Sequence, residues 1–268
     1  MGGRGSSSGL TATAAPTQPT PGPKLKIPVP APDPIADQVP DDNNTPIAPN
    51  ALDSLVGMTD DQLTQVYLDS QKVGLPNHLG DVDDKTQRFV FQIGLNDKPM
   101  VLDTAAFNQF MSDNNISQAQ ILSRSVNGGT LRTSSGSTRN LSAQDVVDMM
   151  TQSRLNYIGG KHGGQAYGAG TYFDQNGGGN TGYGSGRTVN AVLNPKTARV
   201  VTDSNLRKLA AAFDKSHPKF ANATGGYSTA FYNNNMSIYA LAMGYNVIKD
   251  ATGSYHNVID RKALVYRK

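Results

Sequence analysis

An α+β fold is what this sequence predicts, and three observations carry the prediction. Short helical and strand patterns alternate irregularly, without the strand–helix–strand repeat of a parallel sheet. The chain has 268 residues, 37% of them hydrophobic and none of them Trp, enough for one medium domain plus a tail. Twelve of its 28 glycines fall between residues 159 and 186, with aromatics among them. Each glycine costs about 1 kcal/mol relative to alanine in a helix, so this stretch reads as a loop. It closes on a short strand at residues 170–173, where backbone must come close to something.

Composition excludes several classes. There is no cysteine, hence no disulfide framework, thiolate zinc site or cysteine nucleophile. Formal charge is +3, and the pI of 9.0 comes with no Lys/Arg cluster that would mark a nucleic-acid surface. All 21 acidic residues are aspartate. Compositional drift and avoidance of a Glu-specific protease are both open as causes. No apolar stretch approaches the roughly 20 residues that span a bilayer, and no signal-peptide core is evident. No membrane partner is therefore expected.

Three regions are expected along the chain. Residues 1–50 are rich in Pro, Gly, Ser, Thr and Ala and read as a disordered tail. Residues 51–118 read as a helical subdomain. Thr59 and Gln62 have capping-box spacing, and Leu63, Val66 and Tyr67 then share one face. A second helix covers 84–93 with Phe89, Val90 and Ile93 inward. A third opens at Asp103 or Thr104 and carries Phe107, Phe110 and Met111.

Residues 119–268 complete the fold. Residues 119–126 read as a strand, 128–139 as a polar loop, and Ser142 with Asp145 caps a helix bearing Val146, Met149 and Met150. Residues 188–193 and 199–201 are short strands joined by an Asn194-Pro195 turn. Asp203 opens a helix with Leu206, Leu209, Ala210 and Phe213 inward. A later helix runs to Met243 with Met236, Tyr239 and Ala240 on one face, and Gly244 stops it. Strands at 245–248 and 257–266 finish the chain.

The candidate chemistry lies in the strands and the glycine loop. Arg124, inside ILSRSV, can offer its fork to a phosphate or carboxylate, or can simply face solvent. In YGAGTYF, residues 167–173, small residues let a flat ligand approach and an aromatic ring supplies a stacking face. Tyr172 and Phe173 alternate, so only one can face a cleft. His162 has no second His or carboxylate at ligand spacing, so no metal site is expected. It reads as a loop histidine or a ligand hydrogen-bonder.

The order LSRSV, YIGGKHGGQAYGAGTYF, GYGSGRTVNAVLNPKTARVV, ALAMGYNVI and YHNVIDRKALV resembles the ADP-ribosyltransferase fold of bacteriophage-encoded proteins. In that family the early strand typically reads Tyr-Arg-Gly-Val and the middle Tyr-Gly-x-Gly-x-Tyr-Phe. The opening MGGRGSSSG is similar to the start of such phage proteins, and the likeness covers residues 85–268.

The resemblance implies a split β-sheet with NAD between its halves, in a mono-ADP-ribosyltransferase acting on a host protein or other macromolecule. It implies that Arg124 holds the NAD phosphates or ribose and Tyr172 stacks on nicotinamide. Gly160, His162, Tyr167, Gly168 and Gly170 would form the cofactor loop. It places the protein in the virion, with phage head proteins as further partners, or in the host cytoplasm. The family's usual catalytic glutamate is missing, and alignment on YHNVID puts Tyr255 or His256 near its place, with Asp260 several residues on. A transferase-like protein without catalysis, serving as a virion component or binding module, is the alternative.

Overall fold

The computed structural model describes residues 51–75, 77–79, 85–95, 98–133, 135–152, 170–175, 186–232 and 235–268. The tail at 1–50 and most of the glycine loop lie outside the described residues. The fold is mixed α/β with a mostly antiparallel sheet.

Two helices open it: α1 (Ala51–Val56) and α2 (Asp60–Ser70). The expected capping box holds: Thr59 accepts from the Gln62 N–H, and Gln62 accepts from the Thr59 N–H at 2.9 Å. Strand β1 (Asn77–Leu79), α3 (Lys85–Gln92), β2 (Met100–Leu102) and α4 (Thr104–Asp113) follow. Asp103 caps α4 by accepting from Ala106 N–H at 2.8 Å.

Next come β3 (Leu122–Val126), β4 (Gly129–Thr133), β5 (Thr138–Leu141) and α5 (Ala143–Gln152). Residues 128–139, expected as a loop, hold most of a hairpin. Thr130 and residues 135–140 are exposed, and among the described residues Leu131 and Leu141 anchor it in the core. With β1 it makes a three-stranded sheet, order β1-β4-β5. Ser142 and Asp145 cap α5 reciprocally, at 2.7 to 3.1 Å.

The remaining strands and helices are β6 (Thr171–Gln175), β7 (Arg187–Leu193), β8 (Val200–Thr202), α6 (Asp203–Ser216), α7 (Pro218–Thr224), α8 (Gly226–Tyr232), α9 (Met236–Ala242), β9 (Val247–Lys249), β10 (Tyr255–Val258) and β11 (Leu264–Arg267). The single strand expected over 257–266 is thus two strands separated by a 3₁₀ turn at Arg261–Ala263. Leu209, expected inward on α6, is 41% exposed. Gly244 takes φ +83° and stops α9 as expected, a conformation that favours glycine.

The main sheet has eight strands in the order β2-β11-β7-β3-β6-β10-β9-β8. On one face Leu122, Phe173, Val189 and Tyr266 pack with Val146 and Met150 of α5 and with the small sheet. On the other, α4 lays Phe107 and Met111 over Val192 and Val265. Beyond β10 a larger core joins Leu52, Leu63 and Phe89 to Phe220, Tyr239, Ile248 and Ile259. Helix α9 lies at its centre, with all seven residues buried. Residues 51–118, expected as a helical subdomain, therefore share their core with the C-terminal helices and add β2 to the sheet. The apolar periodicity that marked these helices fixes which face is buried, not against what.

Candidate functional site

The eight strands form two groups of four, joined weakly. Strands β3 and β7 pair over five residues, and β6 and β10 over four. Between the groups, β3 and β6 pair only at Leu122↔Gln175 and Ser123↔Asp174. Past Ser123 the two strands part, and Arg124 stands at the fork. Its Nη1 donates to the Tyr172 carbonyl at 3.0 Å. Arg124 thus reaches the Tyr172 main chain rather than its ring.

Strand alternation sorts the other side chains. Ser123, Asp174, Tyr172, Asn257 and Asn190 share one face through the register pairs Ser123↔Asp174, Asn257↔Tyr172 and Ser123↔Asn190. Arg124, Phe173 and His256 leave from the opposite face. Phe173 is buried in the core while Tyr172 is half-buried, so the expected division between these aromatics holds. Ser123 Oγ donates to Asn190 Oδ1 at 2.7 Å.

Gly170 begins the strand against Asn257. A Cβ at Gly170 would collide with the Asn257 carboxamide, which makes glycine obligatory here. Asn257 is fully buried and donates to Ser237 Oγ at 3.0 Å; its Oδ1 has no partner among the described residues. Gly160, His162, Tyr167 and Gly168 lie outside the described residues.

Both aspirants to the missing carboxylate are occupied or neutral. His256 is 3% exposed, and its Nδ1 has no hydrogen-bond partner among the described residues. Burial pushes it down to about 4, with Lys249 acting in the same sense and Asp250 against, so it is neutral near pH 7 and offers no negative charge. Asp260 is 2% exposed and is the cap of the 3₁₀ turn, accepting from Lys262 N–H at 3.1 Å. Its other oxygen meets Asn246 Nδ2 at 3.5 Å, and Asn246 in turn binds Thr197 O and Arg199 N–H. Those bonds join the 3₁₀ turn after β10 and the residue before β9 to the turn before β8.

Asp174 went unnoticed in the sequence. It is 8% exposed, lies two residues beyond Tyr172 on the same face, and accepts no hydrogen bond among the described residues. Burial raises its carboxyl above the usual value, against the pull of Arg124. The signal was available: in TYFDQ, alternation puts Asp174 on whichever face Tyr172 takes. Among the described residues there is no group of three metal-ligating side chains and no helix long and apolar enough to cross a membrane. Comparison with family models, curated proteins and solved structures finds no match.

Proposed function

We propose that the chain is a phage-type mono-ADP-ribosyltransferase, moving ADP-ribose from NAD to a host macromolecule. The observation that carries this reading is the fork: a sheet of two four-strand halves joined by two residue pairs, with Arg124 and Tyr172 at the parting. It agrees with the ordered motifs, which imply a split sheet holding NAD. In this reading NAD lies across the fork, the guanidinium of Arg124 on one face of the sheet meeting its phosphates or ribose and the half-buried Tyr172 ring on the other face stacking on nicotinamide.

Purified protein incubated with labelled NAD and bacterial lysate is expected to transfer label. Arg124→Ala should lower transfer about a hundredfold or more, the scale of losing a charge-stabilising group. Tyr172→Ala, which removes a stacking face, should lower it about tenfold. Absence of transfer by the intact protein would overturn the reading.

A second reading, a transferase-like fold without catalysis, is favoured by the absent glutamate and by the occupied Asp260 and neutral His256. It fits a virion component or an NAD-binding module, with head proteins as partners. It expects NAD to raise the melting temperature with no product formed.

A further inference from the structure

Burial penalises the charged form of a carboxylate. Asp174 is 8% exposed, and among the described residues the charge of Arg124, rather than a hydrogen bond, offsets that penalty. Asp260, the other buried aspartate among the described residues, has the bonds expected of a structural carboxylate. Asp174 also sits at the last pair before the strands part, opposite Ser123 on β3 and Tyr255 on β10. The Tyr172 ring leaves the same face one strand repeat away, about 7 Å along β6.

A half-buried aromatic ring and a carboxylate on one face suit a ligand that is flat at one end and positively charged beside it. NAD at the point of cleavage is such a ligand. Resting on the transferase reading above, we propose that Asp174 supplies the negative charge for ADP-ribose transfer in this glutamate-free chain. The bond between ribose C1′ and the nicotinamide nitrogen breaks, and its electron pair passes to that nitrogen, releasing neutral nicotinamide. The carboxylate stabilises the cation left at C1′. A lone pair of the acceptor closes the new bond to C1′, and the acceptor's proton passes to Asp174 and then to solvent. The titratable groups on the flanking strands are Arg124 on β3 and Tyr255 and His256 on β10. His256 is neutral at pH 7, burial raises the Asp174 carboxyl, and Arg124 draws it downward.

The test compares the intact protein with Asp174→Asn, Asp174→Glu and Arg124→Ala, reading NAD affinity by calorimetry, turnover against pH, and melting temperature. Asp174→Asn is expected to bind NAD within about threefold of the parent and to turn it over about 100-fold more slowly or worse. Its melting temperature at pH 7.5 should change little, because the desolvation cost of the charge and its attraction to Arg124 are lost together. The parent's rate should rise with pH through a carboxyl value above the ordinary range, and that limb should vanish in Asp174→Asn. Asp174→Glu should recover part of the rate.

Turnover by Asp174→Asn within threefold of the parent, with Arg124→Ala inactive, would overturn the assignment and leave the transferase reading standing. A lower melting temperature with lost NAD binding in Asp174→Asn and Asp174→Glu alike would make the residue structural and overturn it too. No turnover by the intact protein would remove the transferase reading and this assignment with it.

Discussion

His256 is held neutral inside the sheet, and this has a consequence for acid stability. Its folded value is about 4 against 6.5 for the free side chain, so between these pH values the unfolded chain binds more protons than the folded one. Stability should therefore be unaffected by His256 above pH 6.5 and should fall as pH drops toward 4, by roughly 2–3 kcal/mol. Urea unfolding at pH 7 and pH 4.5 measures this, and His256→Gln should remove most of the difference. Residue environments of this kind were the least legible part of the sequence. His256 and Asp260 both fell near the position of the missing glutamate, and both are consumed by the fold. Burial of a polar residue in a strand is decided by what packs above it, which alternation alone does not disclose. Tyr172 against Phe173 was legible because one of two alternating aromatics had to enter the core.

Helix α7 depends on a residue from elsewhere. Its own N-cap, His217, makes no side-chain capping bond. Instead Asp60, on the first turn of α2, accepts from Lys219 N–H at 3.0 Å and Phe220 N–H at 2.9 Å. Desolvation pulls the Asp60 carboxyl up, but those two donors together with the nearby charges of His217 and Lys219 outweigh it and hold the carboxyl below its usual 3.8. Its contribution is present above pH 3.8 and fades as pH falls through the lower folded value. Asp60→Ala should cost about 1–2 kcal/mol at pH 7, the scale of a lost N-cap, read as a shift of the urea midpoint with unchanged slope. Local caps were legible: Thr59 with Gln62, Asp103, and Ser142 with Asp145 all act where their spacing put them. The cap that Asp60 provides to a segment far away in sequence was not. Nor was the β4–β5 hairpin, where two leucines are the whole apolar signal.

The molecule unfolds as one unit if its largest core is continuous. Phe89 of α3 is fully buried in a cluster that includes Phe220, Tyr239 and Ile259, and Tyr67 packs against both Phe89 and Phe220. Phe89→Ala should cost about 3–5 kcal/mol and lower a single transition seen by every probe. A separate early transition confined to residues 51–118 would mean that these helices melt on their own. The α+β class was legible from the irregular mixture of elements, while the core partners of the early helices were not, because they depend on which apolar faces meet. The sheet has one more consequence, for biosynthesis. Strand β2 pairs in parallel with β11, Met100 beside Val265, and β11 lies between β2 and β7. Met100 therefore leaves the ribosome long before its neighbour exists. Strand β2 must wait, unpaired, until residues 264–267 emerge, and slow non-local closure of this kind is when a nascent chain most needs a chaperone.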